Sequence, residues 1–405
     1  MVEKPVKSMA EGEEAARGRV IRILSLIAII VSALVVTQVV LNLDSSQQAD
    51  ITDNLSKLKL PPGFKIELYA RSHFARQLAL SPSGLVFIGS RNDSYVRVAA
   101  DSDGDHKADA IFKLGRFKTP NGVAFKDGTL YIGEVDRILK IDNIENTYTK
   151  NPPATVFQAG LPADTHHGWK YIKFGPDNHL YVAQGMPCNI CVKANPIYGT
   201  ILRLNQKTNG DKWEIYASGV RNSVGFDWDP VSKDLWFTDN GRDYLDENLP
   251  PDEINCAPKP GLNFGFPYYY GQNFKDPEFG SRAPATLEPT MPQVDLPAHV
   301  AALGMTFCQS KTFPARYQNA IFFAEHGSWN RSKPIGYQVS TVTFKNGKPQ
   351  VEPFITGWLM DDGKPWGRPV DVLFTPDGSM LISDDHAGAV YRVSYEGAPR
   401  ANSVN

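Results

Sequence analysis

The sequence predicts an all-β chain: a six-bladed β-propeller preceded by a single N-terminal transmembrane helix. Three observations lead there: a repeated turn-and-strand unit, a composition rich in turn formers and aromatics, and one uncharged apolar run near the start. Among 405 residues there are 33 Gly and 30 Pro, and 11% are aromatic, a balance that favours strands over helices. The 42 Lys and Arg nearly cancel the 44 Asp and Glu, leaving a net charge of −2. That excludes a nucleic-acid binder working by bulk charge and a disordered acidic chain. Four Cys are too few for a disulfide-dense scaffold.

In chain order, residues 1–22 read as a cytoplasmic tail. Ile23 to Leu41 carry no charge over 19 positions, enough for a helix to cross about 30 Å of hydrocarbon. Arg17, Arg19 and Arg22 precede this run, while Asp44, Asp50 and Asp53 follow it. The basic flank predicts an uncleaved anchor with the rest of the chain exported, membrane-tethered and extracytoplasmic. A cleaved signal peptide is the rival reading, with a shorter apolar core and a small-residue cleavage site. Residues 42–59 read as a linker, 60–397 as the propeller and 398–405 as a tail.

Within the propeller region a turn followed by a short apolar strand recurs six times. The copies are SPSGLVFIGS from Ser81, FKDGTLYIGE from Phe125, GPDNHLYVAQG from Gly175, DPVSKDLWFTDNG from Asp229, ARYQNAIFFAEHG from Ala315 and TPDGSMLISDD from Thr375. Further strands such as RILKIDN, TILRLNQ, QVSTVTF and AVYRVSY follow several of them, without helical periodicity. The region after residue 44 allows about 60 residues per copy, room for four strands and loops. Phe64 begins FKIELYA, a strand able to pair with the last blade and close the ring. The Pro- and aromatic-rich stretch from Leu249 to Met305 reads as loops laid over one face.

A propeller brings one loop per blade to a central mouth, so polar groups just before each first strand are candidates for a site. Those positions hold Thr119-Pro120-Asn121-Gly122, Asp164-Thr165-His166-His167-Gly168-Trp169, Gly219-Val220-Arg221-Asn222 and Trp366-Gly367-Arg368-Pro369. Arginines converging there would bind a flat polyanion. Cys188 and Cys191 in PCNIC read as a local disulfide, because no second CxxC or HxxxH completes a zinc site. Pairing of Cys256 with Cys308 is not legible. Asp101, Asp103, Asp105 and Asp109 alternate around Gly104 like the first half of a calcium loop, with an Asx-rich turn as the plainer reading.

The run HHG-x5-FGPD-x2-LYV, followed by G-x-RN-x2-GFDWDP, DE-I-N and GLNFGFP, resembles the PQQ-dependent glucose/sorbosone dehydrogenase family. AEHGSWNR and WGRPVDV near the C-terminus are closer to its sorbosone dehydrogenase-like branch. The resemblance implies a six-bladed propeller carrying pyrroloquinoline quinone (PQQ) and calcium. It implies His167 as catalytic base, Arg221 and Asn222 as contacts to quinone and reacting oxygen, and Arg368 as a cofactor-binding arginine. The second arginine of that pair is replaced by Val370, and the family's quinone-contacting lysine has no counterpart; Arg331 is the nearest candidate. The carbonyls of Gly241 and Arg242 fall where the family holds calcium, with Asp252, Glu253 and Asn255 nearby.

Implied is oxidation of an aldose or related sugar, or an aldehyde, by hydride transfer to PQQ. A neutral imidazole accepts the hydroxyl proton, calcium polarises the quinone oxygen, and Arg221 stabilises developing negative charge by about 3 kcal/mol. Electrons leave to an external acceptor, a cytochrome or membrane quinone, since no CxxCH haem motif is present. Two rival readings are a calcium-dependent lactonase or esterase built on Asn121, Asn222 and Asp371, and a membrane-tethered propeller that binds a partner without chemistry. No nucleic-acid partner is expected.

Overall fold

A strand covered on both faces must be apolar at nearly every position, and this is what five of the six repeats encode, Thr129–Gly133 being half-buried at Thr129 and Tyr131. Val86–Ser90, Leu180–Gln184, Leu235–Asp239, Ile321–Glu325 and Met380–Asp384 are buried throughout. Outer strands such as Thr155–Ala159 are exposed or half-buried. A computed structural model describes residues 51–205 and 212–397. Two units result: Met1–Asn54, almost all of it outside the described residues, and Leu55–Asn405, to which everything below refers. The expected anchor at 23–41 and the two tails lie outside the described residues. Among those described, no helix is long and apolar enough to cross a membrane.

Six antiparallel sheets of at least four strands make the propeller. Blade one runs Ala75–Leu80, Val86–Ser90, Val96–Ala100 and Ala110–Leu114; blade two runs Gly122–Lys126, Thr129–Gly133, Arg137–Ile141 and Thr155–Ala159. Blade three is Ile172–Phe174, Leu180–Gln184, Thr200–Asn205 and Lys212–Ser218, with Leu262–Asn263 added in parallel at its edge. Blade four is Phe226–Trp228, Leu235–Asp239, Asp252–Ala257 and Val294–Leu296; blade five is Ala302–Phe307, Ile321–Glu325, Gln338–Lys345 and Lys348–Ile355. Blade six takes three strands from the C-terminus, Pro369–Phe374, Met380–Asp384 and Ala389–Tyr395. Its outer strand is Phe64–Arg71, paired from Phe64 opposite Tyr395 to Arg71 opposite Ala389. The expected ring closure is therefore present. The stretch from Leu249 to Met305 is not only loops: it supplies the third and fourth strands of blade four and the hairpin Tyr269–Tyr270 with Phe274–Lys275.

The reason the repeats share a turn signature is backbone geometry. In all six, the turn between first and second strands holds a residue with left-handed φ just before or near the second strand: Gly84, Gly128, Asn178, Lys233, Asn319 and Gly378, with Asp127 beside Gly128 as a second one in blade two. Gly, Asn and Asp tolerate that region; Lys233 alone among them does so at a steric cost. The core lies between blades. Phe87 and Val98 of blade one pack with Val123 and Leu130 of blade two, and Ile201 of blade three packs with Phe226 and Phe237 of blade four. Leu381 and Val390 of blade six meet Leu78 and Ile88 of blade one. Each such side chain contributes about 1.5–3 kcal/mol on burial.

Candidate active site

Connections entering each first strand, and those between second and third strands, emerge on the same face. Between them they line one cavity of about 660 Å³. Its walls include His166, His167, Arg221, Asn222, Gly241, Asp252 and Arg368, so residues about two hundred positions apart meet at one mouth. Four non-glycine residues of the lining, Thr119, His167, His299 and Ala301, hold a positive φ.

His167 sits in the turn before Ile172–Phe174, with φ of 51°. Gly185 gives it room, since a Cβ there would lie 2.6 Å from the His167 Cβ. The His167 Nδ1 is 2.8 Å from the carbonyl of Met186, which assigns the proton to Nδ1 and leaves Nε2 as acceptor. Burial, then the positive charge of Arg221 and the neighbouring His166, pushes its pKa down to about 2, so the ring is neutral. The His166 ring lies 4.0 Å from that of His167.

Arg221 is held by Asn189 and Asp243: Nε donates to the Asn189 carbonyl at 2.8 Å and Nη2 meets Asp243 Oδ2 at 3.0 Å. The Asp239 carboxylate accepts the backbone N–H groups of Arg221 and Asn222 at 2.8 and 2.6 Å. This arrangement recurs. Glu134, Asp239 and Asp384 close or immediately follow the second strands of their blades, and each takes an N–H from the loop entering its own first strand, those of Lys118, Arg221 and Arg368. Arg368 also donates to the carbonyls of His326 and Gly327 at 2.9 and 3.0 Å.

Two arginines of the cavity escape a reading of the mouth loops. Arg76 is the second residue of the first strand of blade one and pairs with Asp385 at 2.9 Å, while Asp385 also meets His326 Nε2 at 2.8 Å. Arg91 lies over the Trp169 ring at 3.7 Å, and among the described residues its guanidinium makes no hydrogen bond or ion pair. A lone Arg inside or just after a strand carries no local pattern. The rim displays Tyr244 and Trp329, 74% and 62% exposed and in edge contact at 5.5 Å.

Other sequence candidates fall elsewhere. Arg331 does not line the cavity: its Nη1 donates to the carbonyls of Glu247 and Ala298 and its Nη2 to Asn248, fastening an outer loop. Arg242 turns to Asp276 at 2.9 Å. Asp252 oxygens accept from Gly241 N and Ala301 N, and Glu253 from Gly271 N and Asn255 Nδ2. The carbonyls of Gly241 and Arg242 accept no hydrogen bond among the described residues. Of the four loop aspartates, Asp101, Asp103 and Asp109 cluster but Asp105 does not, its carboxylate capping Lys107 N at 2.8 Å. That loop joins third and fourth strands, on the face opposite the mouth. Asn121 and Asp371, needed for an axial metal, do not line the cavity; Asp371 instead accepts from Leu78 N and Tyr171. Cys188 and Cys191 form a disulfide, while Cys256 and Cys308 are free thiols.

The family description "Glucose / Sorbosone dehydrogenase" matches residues 134–327, and a second, "TrAA12-like", matches 270–396. An uncharacterized protein of Borreliella burgdorferi is 37% identical over 362 residues, covering 84% of this chain and 92% of that one. The chain belongs to the glucose/sorbosone dehydrogenase family. At that level it is an oxidoreductase of the sugar dehydrogenase type. An Escherichia coli aldose sugar dehydrogenase is 28% identical over 244 residues, covering 56% of this chain and 57% of its own. The holo form of the pyranose dehydrogenase PQQ domain from Coprinopsis cinerea shares the fold, with TM-score 0.69 and 17% identity over 83% of this chain and 97% of that one.

Proposed function

We propose that the mouth oxidises an aldose or a related sugar, glucose- or sorbosone-like, with PQQ as the bound redox group and calcium beside it. The observation that carries this is the cavity's donor set: Arg76, Arg91, Arg221 and Arg368 around one space, with Arg91 unpaired among the described residues and flat against Trp169. Planar guanidiniums suit the carboxylates of a flat polyanion. The open carbonyls of Gly241 and Arg242 suit a hard cation that prefers oxygen. When bound, the quinone supplies the hydride acceptor that no side chain can provide.

The chain's own residues then do the rest. His167, fixed through Nδ1, offers Nε2 to the sugar hydroxyl and takes its proton as the C–H electron pair departs and a C=O bond forms. Arg221 holds the developing negative charge. Tyr244 and Trp329 give the apolar face of a sugar ring a surface at the rim. The uncharged run at 23–41 and its basic flank support a membrane-tethered, extracytoplasmic enzyme that passes electrons to a separate cytochrome or membrane quinone.

The test is reconstitution of the purified protein with PQQ and calcium, followed by dye reduction with a panel of aldoses. Quinone binding with sugar-dependent dye reduction is the expected result. Absence of both, with lactone hydrolysis in their place, overturns it.

A further inference from the structure

Residues 186–191 begin the connection between the second and third strands of blade three, and they touch both groups assigned to the chemistry. The Met186 carbonyl accepts from His167 Nδ1, and its N–H donates to the Arg221 carbonyl at 2.9 Å. Three residues on, Asn189 receives Arg221 twice, Nε on its backbone carbonyl and Nη2 on Oδ1, both at 2.8 Å. The same Oδ1 accepts Asp243 N at 2.8 Å, and Nδ2 donates to the Asp243 carbonyl at 3.0 Å. Asn189 thus fixes Arg221 and the residue that pairs with it. It sits between Cys188 and Cys191, whose disulfide closes the turn. Both sulfur-bearing residues are half-buried, packed against Met186, Phe266 and Tyr270.

We propose that Asn189 is a positioning residue for Arg221, and that the Cys188–Cys191 disulfide keeps it in place, so that a reducing dithiol disables the mouth. This rests on the reading of Arg221 as a contact to quinone and substrate. In the switching step the S–S bond accepts two electrons and two protons to give two thiols, while the dithiol closes to its own disulfide. Without the cross-link the four-residue turn regains freedom, and the two acceptors that meet the guanidinium fork lose their fixed spacing.

The experiment compares wild type, Asn189→Ala, Asn189→Asp and Cys188→Ser/Cys191→Ser, each with and without Arg221→Ala. PQQ affinity and turnover are read in loaded protein. Solvent exchange of the Arg221 Nε–H is read by NMR in unloaded protein. Expected for Asn189→Ala is a loss of about tenfold or more in PQQ affinity and kcat/KM. Asn189→Asp, which keeps the acceptor oxygen, recovers most of that, and the loss vanishes when Arg221 is already Ala. The serine pair, or wild type treated with dithiothreitol, speeds Nε–H exchange by a similar factor. Equal losses in both Arg221 backgrounds, or Nε–H exchange indifferent to the disulfide, overturn the proposal. A wild type that binds no PQQ ends the functional reading alone, and the exchange measurement still decides the positioning.

Discussion

Burial at the mouth lowers the pKa of three of its imidazoles, those of His166, His167 and His326. His167 is buried among like charges, so it stays an acceptor across the working pH range. Replacing it with Ala lowers kcat by 10²–10⁴-fold while PQQ titration still saturates; unchanged turnover would remove it from the reaction. His326 offers a second test. Burial pushes it down to about 4 against the opposing pull of Asp385, whose carboxylate His326 and Arg76 hold well below its ordinary range despite its own burial. Below pH 6.5 the unfolded chain protonates this histidine before the folded one does, so its stabilisation is full above 6.5 and is lost towards pH 4. The deficit of His326→Gln relative to wild type therefore shrinks, by up to about 1.4 kcal/mol per pH unit across that window. Thermal melts in matched buffers read it. The meeting of His167, Arg221 and Arg368 at one mouth was legible because each follows a turn and precedes an apolar strand. Arg331 misled because SWNR is adjacent in sequence to the mouth, while its side chain turns outward to the carbonyls of Glu247 and Ala298.

Two devices repeat at the level of the strand pair. One is the left-handed turn residue, and Lys233 is its misfit. Lys233→Gly should gain about 0.5–1 kcal/mol by relieving strain, seen as a higher melting temperature with unchanged m-value. The other is the acidic residue that caps the loop entering its own blade. Asp239 takes two N–H groups inside the protein, and burial raises its pKa to about 7. Asp239→Asn loses one of those bonds, costs about 1–3 kcal/mol and loosens Arg221; equal stability in urea melts would refute the capping role. These acids end or follow the repeats, as in LYIGE, LWFTD and LISDD, yet their partners lie 16 to 18 residues upstream. No short-range pattern reveals such a pairing, and for that reason the caps escaped the reading of the sequence.

Across the whole molecule, blade count and ring closure could be read from one chain, because a strand buried on both faces leaves a continuous apolar signature. The stretch from Leu249 to Met305 could not, since its strands DEINCA and VDL mix polar with apolar residues and lie among proline-rich segments. Truncation before residue 74 removes the partner of Ala389–Tyr395 and exposes its hydrogen-bonding edge. Size-exclusion chromatography should then show aggregates in place of a single symmetric peak.

The seam in blade six also bears on how the protein is made. Phe64–Arg71 leaves the ribosome early, but Ala389–Tyr395, which it must meet, is translated more than three hundred residues later. For most of synthesis the nascent chain carries an unmatched first strand, and blades one to five wait as an open arc with two unsealed ends. The ring cannot close before Ala389–Tyr395 has been made, and until then the arc carries strand edges open to mispairing.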